Sequence, residues 1–305
     1  MAMLVIHIGL HKSGTTFLQK EVFCNLSLGF SCPKGKDALA ATHEFVNREP
    51  TTFDPLLVRK RFAPLLEHAD REGLVPVISD ERLSSIPERG RYHLPYMLDC
   101  LSQTFGEYKL LMTIREQAAM AEALYRQIIR SGDNIDIEQF MGTGMEQEGW
   151  ASRWQPSFFD YWHLYNFICR KLDSANVCVL PMELMRSAPQ EYWQRLFRFC
   201  DVAGGDVSHK RHNDGLTPLA TKLLRHTNGL MSRNKLGSKQ PRLVRKQVEL
   251  CKILGERLPA TISEKISQHW REVIDARIGA QFNESNRLLG EMLELDLASL
   301  GYRVG

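Results

Sequence analysis

No apolar stretch of this 305-residue chain approaches the roughly 20 residues that a bilayer-crossing helix needs. There is no internal repeat. The first apolar run has no basic segment before it and leads straight into a loop of small residues, so it reads as a strand and not as a signal peptide. Seven cysteines, at 24, 32, 100, 169, 178, 200 and 251, form an odd set with no C-x-x-C spacing. That disfavours a disulfide scaffold and a zinc site, and makes a reduced cytoplasm the simplest home. Charge is close to balanced, and a net +3 is too small an excess to mark a nucleic-acid partner by itself.

What is present is enough apolar material for a sizeable core, 43% of residues, arranged in two periods. Strand-like runs occur at Met3 to Ile8, Leu74 to Ser79, Lys109 to Ile114 and Val177 to Leu180, with a weaker one near Leu28 to Cys32, and helical patterns lie between them. Strands alternating with helices predict a parallel sheet covered on both faces. Pro76 is awkward for a central strand. From about Leu216 onward the pattern is wholly helical, through LTPLATKLLRHTNGLM, LVRKQVELCKILGERL and ISEKISQHWREVIDARIGAQF. No low-complexity linker precedes these segments, so residues 216–305 read as a helical region appended to a core of residues 1–215 within one domain of 305 residues.

The chemistry concentrates in IHIGLHKSGTTFLQ. A short apolar strand runs into Gly-Leu-His-Lys-Ser-Gly-Thr-Thr, and Phe17, Leu18, Val22 and Phe23 then recur at helical spacing. Inward-pointing N–H groups of such a loop, together with the helix start, bind a phosphate or sulfate. In the nucleoside triphosphate loop, lysine follows the last glycine and a Ser or Thr holds magnesium. Here Lys12 precedes Gly14, giving Lys-Ser-Gly-Thr-Thr.

That order resembles the 5′-phosphosulfate loop of the sulfotransferases, K-[ST]-G-T-[ST]. A second likeness is YKLLMTIREQAAMAEALYRQ, in which Arg115 follows a strand and Tyr125 lies ten residues on; the family's serine position is occupied by Ala123. VCVLPMELM, QEYWQRLFRFCDV, RHNDGLTPLA and FNESNRLLGEMLELD resemble the bacterial family in the same order, so the likeness spans nearly the whole chain. It implies a P-loop-type three-layer α/β fold, with a parallel central sheet flanked by helices and a helical C-terminal region. It also implies 3′-phosphoadenosine 5′-phosphosulfate (PAPS) as co-substrate, with no metal required. The implied partners are that nucleotide donor and a hydroxyl- or amine-bearing acceptor, a glycan or small metabolite. An ATP-dependent kinase and a non-catalytic nucleotide-binding protein are the alternatives.

Backbone N–H groups from Ser13 to Thr16, including Gly14 and Thr15, are expected to cradle the phosphosulfate, with the Thr15 and Thr16 hydroxyls as further donors. Lys12 would neutralise charge building on the bridging or sulfuryl oxygens. Arg115 is expected at the 3′-phosphate, because guanidinium binds phosphate bidentately, with Lys210 and Arg211 as weaker partners. Two residues compete as the base that takes the acceptor proton. Glu81 ends a strand where cytosolic sulfotransferases keep a histidine, and His43 resembles part of an acceptor-side helix of glycan-modifying relatives; Glu44 is an outside choice. Trp150, Trp154, Tyr161 and Trp162 read either as a sugar-stacking wall or as core. Arg126 and Arg130 either greet an acidic acceptor or are solvated. The basic run from Ser232 to Gln247, with Arg233, Lys235, Lys239, Arg242, Arg245 and Lys246, reads as a solvated face or as a flap over the donor.

Overall fold

The structure, a computed structural model, describes residues 2–33, 37, 39–147, 151–207, 215–230 and 242–305. Strand β1 (Val5–His7) enters the glycine loop, which α1 (Thr15–Phe17) and a π-helical turn (Leu18–Phe23) continue. The edge strand β2 (Phe30–Ser31) follows, then α2 (Pro55–Glu72) and β3 (Val75–Ser79). Asp54 starts α2 by accepting the N–H groups of Leu56 and Leu57 at 2.9 and 3.1 Å, and Gly73 ends it at φ 65°.

A small hairpin, β4 (Ser85–Ile86) and β5 (Arg91–Tyr92), precedes α3 (Leu94–Phe105), β6 (Lys109–Ile114) and α4 (Gln117–Arg130). Then come α5 (Ile137–Met141), α6 (Tyr161–Cys169), β7 (Val177–Pro181), α7 (Leu184–Ser187) and α8 (Pro189–Cys200). Helices α9 (Pro218–Leu230), α10 (Arg242–Arg257), α11 (Ala260–Ile278) and α12 (Asn283–Leu293) complete the order, so the C-terminal region is helical as its periodicity predicts.

The central sheet has five parallel strands in the order β2-β3-β1-β6-β7. Its two faces are both buried. Ile6, Ile78, Leu110 and Met112 point into a core shared with α2, α3, α4, α6 and the C-terminal helices, while Val5, Val77 and Leu111 point to a core closed by Leu18, Val22 and Phe23 and by α8. Helices α9 and α11 pack on α4. Pro76 is tolerated within β3 for a local reason. Val75 N–H reaches Gly29 O on the β2 side at 2.8 Å, so by alternation the Pro76 nitrogen faces β1, and pairing with β1 begins only at Val77.

The cysteine expectation needs correction. Cys24 and Cys32 form a disulfide that ties the end of the loop helix to the edge strand, although no C-x-x-C spacing announces it. Cys100, Cys169, Cys178 and Cys200 are free thiols. Among the described residues no helix is long and apolar enough to cross a membrane.

Candidate active site

Sheet order locates the site. The chain leaves β1 toward one face of the sheet, into the helix bearing Leu18 and Val22, and leaves the neighbouring strand β6 toward the other face, into α4 with Met120 and Leu124. Connections that diverge from adjacent parallel strands open a crevice at the strands' C-terminal ends, where open α/β sheets bind ligands. Lys12 stands on one lip and Arg115 on the other. The Arg115 guanidinium donates to Lys12 O at 3.4 Å, bringing together two residues that are 103 positions apart.

The loop backbone is strained where the chemistry is expected. Lys12 adopts φ 66°, the left-handed region that costs a non-glycine residue about 1 kcal/mol or more, and Gly14 follows at φ 86°. Gly14, Thr15 and Thr16 open a helix, so their N–H groups have no carbonyl four residues back to bond. Thr15 is buried and Thr16 half-buried. Ser13 departs from expectation: its N–H donates to Leu10 O at 3.1 Å and its buried hydroxyl donates to the same carbonyl. It braces the loop from beneath, and the run of available N–H groups starts at Gly14. Gly9 is obligatory, because a Cβ there would lie 2.3 Å from Thr113 Oγ1 and 2.5 Å from His7 Nε2.

The Lys12 side chain is exposed, and its ammonium donates to Gln127 Oε1 on α4 at 2.7 Å. Partial desolvation in the crevice mouth lowers its pKa; Glu88 opposes this, Arg130 adds to it, and Glu81 and Arg115 contribute less, in opposite senses. Solvent screens all of these. Arg115 is half-buried, and burial is also the chief influence lowering its pKa, with Glu183 opposing it and Arg186 adding to it. Ala123 is half-buried on α4, one turn before Gln127.

Glu81 follows β3 in a turn capped by Asp80, whose side chain accepts Arg82 N–H at 3.0 Å and pairs with the Arg82 guanidinium at 2.9 and 3.0 Å. Gln19, on the helix after the loop, donates to Ser79 O at 3.2 Å and to Glu81 Oε2 at 3.4 Å, linking this strand end to the loop. His43 is exposed on a turn (Thr42–Val46) that packs against the Glu81 turn, where Thr42 donates to Asp80. Both candidate bases therefore occupy one rim, and Glu81 is the one tied to the loop helix. Glu44 is paired with Arg48 on its own turn.

Other expected residues turn elsewhere. Trp154 and Tyr161 are buried, Trp154 stacked on Phe159 at 4.0 Å, and Trp162 packs partly buried against the same core, so these rings are core and not a stacking wall. Arg126 pairs with Glu122 and lies over Trp270, so its charge is already engaged within the protein. Arg245 and Lys246 are exposed on α10. Trp150, Lys210, Arg211, Arg233, Lys235 and Lys239 lie outside the described residues, as does the Arg242 side chain. Sequence reasoning missed Gln127, which grips Lys12, and Glu88, the strongest acidic influence on it. A lone Gln on an amphipathic helix and a Glu in a Pro-Glu-Arg-Gly turn carry no signal of their own.

No protein-family model matches the chain, and no curated protein matches it. Similar solved structures include a sulfotransferase from Alicyclobacillus acidocaldarius, at 12% identity over 99% of this chain and 99% of that one, with a TM-score of 0.48. A sulfotransferase domain from the curacin biosynthetic pathway has 13% identity over 67% of this chain and 76% of that one, with a TM-score of 0.39. A sulfotransferase domain from the Synechococcus PCC 7002 olefin synthase has 11% identity over 84% of this chain and 95% of that one, with a TM-score of 0.38.

Proposed function

We propose that the chain is a sulfotransferase that moves a sulfuryl group from PAPS to a hydroxyl or amine, on a glycan or small metabolite. The observation that carries the reading is the strained Lys12 backbone at the mouth of a switch-point crevice, with the helix-opening N–H groups of Gly14, Thr15 and Thr16 just beyond it and Arg115 facing it. Backbone strain persists where the surroundings enforce it, and here it aims donors at a place where an anion would sit. The Lys-Ser-Gly-Thr-Thr order favours a phosphosulfate over a magnesium nucleoside triphosphate.

In this reading the Gly14, Thr15 and Thr16 N–H groups hold the 5′-phosphosulfate and Arg115 the 3′-phosphate; Arg211 is kept as a partner on sequence grounds. The acceptor oxygen or nitrogen forms a bond to sulfur while the bond from sulfur to the bridging phosphate oxygen breaks. Glu81 takes the acceptor proton, with His43 as its rival, and Lys12 neutralises the charge left on the bridging oxygen. No step calls on a metal. Residues 1–215 form the nucleotide-binding core and 216–305 the helical remainder of one domain. A cytoplasmic setting belongs to the same reading.

Turnover of PAPS over a panel of hydroxyl and amine acceptors tests the activity. Transfer in the wild type, with Lys12→Ala losing kcat while retaining affinity for the bisphosphate product, is the expected result. Bisphosphate binding without transfer to any acceptor would favour a nucleotide-binding protein instead.

A further inference from the structure

Three polar side chains lie where the sheet's period calls for apolar ones. Val77, Val5 and Leu111 point into the core beneath the loop helix; two residues further on, hence on the same face, stand Ser79, His7 and Thr113. Ser79 and His7 end β3 and β1, and Thr113 is the last residue but one of β6. His7 and Thr113 are fully buried, and the Phe23 ring closes over His7 at 5.1 Å between centroids.

Their hydrogen bonds form one chain: His7 Nδ1 to Ser79 Oγ at 2.7 Å, His7 Nε2 to Thr113 Oγ1 at 3.0 Å, and Thr113 Oγ1 to Ser13 Oγ at 2.8 Å, with Ser13 also bonded to Leu10 O. For a neutral imidazole only one proton order satisfies it. Leu10 O can only accept, so it takes the single Ser13 hydroxyl proton. Thr113 must then donate to Ser13, and His7 Nε2–H must donate to Thr113. His7 Nδ1 is left bare and accepts from Ser79. Burial depresses the His7 pKa to about 3, so the ring keeps a single proton at neutral pH.

We infer that His7 is a positioning residue, which as the Nε2–H tautomer holds Thr113 and, through it, Ser13, and so fixes the anion loop in its binding conformation. It touches no ligand. Its other end holds Ser79, two residues before Glu81, so the same ring sets the strand bearing the proposed base in register with the donor loop. What the loop binds rests on the sulfotransferase reading; the proton order and the bracing of Ser13 do not.

Imidazole ¹⁵N NMR of the wild type tests the proton order directly: Nε2 protonated, Nδ1 bare, and no titration between about pH 5 and 8, where an ordinary histidine titrates. A mixed tautomer, the Nδ1–H form, or titration near the ordinary value would overturn the inference. Amide exchange at Ser13 tests the bracing. His7→Leu removes both hydrogen bonds, whereas His7→Gln can still donate from its amide nitrogen and accept at its amide oxygen. Ser13 N–H protection should be lost in His7→Leu and largely restored in His7→Gln, and affinity for 3′-phosphoadenosine 5′-phosphate should fall about tenfold or more and recover in parallel.

Unchanged Ser13 protection in His7→Leu, or no recovery in His7→Gln, would overturn the bracing role. A lower melting temperature with unchanged bisphosphate affinity would reduce His7 to a core residue and would equally overturn it. Thr113→Val breaks the same chain without touching His7 and serves if His7→Leu fails to fold. Should the wild type bind no bisphosphate, the sulfotransferase reading fails, while the tautomer and the Ser13 exchange still decide the bracing.

Discussion

Replacing Gly9 by alanine puts the loop's packing to a severe test. The new Cβ would stand 2.3 Å from Thr113 Oγ1, 2.5 Å from His7 Nε2 and 2.6 Å from Thr15 Cγ2, all well inside contact distance. Thr113 and His7 cannot withdraw without opening the hydrogen-bonded chain that ends on Ser13. Overpacking costs about 1 to 3 kcal/mol, and a buried polar group left unsatisfied adds about 1 to 3. At about 2 to 4 °C per kcal/mol for a large domain, calorimetry should show the melting temperature falling by roughly 4 to 24 °C. Titration should show bisphosphate affinity falling at least tenfold.

Gly14→Ala is the control. There the added carbon meets nothing nearer than Met185 Cε at 3.9 Å, and only the φ of 86° opposes it. Its cost should stay near the ~1 to 2 kcal/mol of a left-handed residue. Wild-type stability and affinity in Gly9→Ala would refute the claim that the loop lies directly on the His7–Thr113 pair.

Three further outcomes are expected. Arg115→Ala should weaken 3′-phosphoadenosine 5′-phosphate by about 1.5 to 3 kcal/mol, the worth of a charged hydrogen bond, and leave adenosine 5′-phosphosulfate nearly unaffected; equal losses would show that Arg115 does not read the 3′-phosphate. Glu81→Gln should lower kcat by about 10²- to 10⁴-fold, as for a positioned base, with donor affinity intact, and near-full turnover there with none in His43→Ala would transfer the role to His43. His7 has a folded-state pKa of about 3 against an ordinary 6.5, so between these values only the unfolded chain takes up the proton. Stability is then lost as pH falls from about 6.5 toward 3, by up to about 1.4 kcal/mol per pH unit. Denaturant midpoints of the wild type should therefore fall more steeply with acid than those of His7→Gln, and parallel slopes would contradict the buried neutral ring.

The sheet was legible because its strands are buried on both faces and read as unbroken apolar runs such as Leu110 to Met112. The glycine loop was legible because Gly-Leu-His-Lys-Ser-Gly interrupts that apolarity before a helix. Residues whose roles depend on packing were not. His7 in LVIHIGL, Thr113 in LLMTI and Ser79 in VPVIS are each a single polar residue at or near the end of an apolar strand, and only the folded strands, through their side-chain hydrogen bonds, show that the three meet. Ser13 sits inside the motif, yet its donors turn inward because Leu10 O lies beneath it. The Cys24–Cys32 bridge depends on the loop helix and the edge strand lying side by side, which cysteine spacing alone does not convey.

The central claim is that the crevice between Lys12 and Arg115 takes a phosphosulfate nucleotide and not a magnesium nucleoside triphosphate. Calorimetric titration of the wild type with 3′-phosphoadenosine 5′-phosphate and with ATP, each with and without magnesium, tests it most directly. The account predicts that the bisphosphate binds more tightly than ATP and with the same affinity whether or not magnesium is present. A preference for ATP that appears only with magnesium would contradict it.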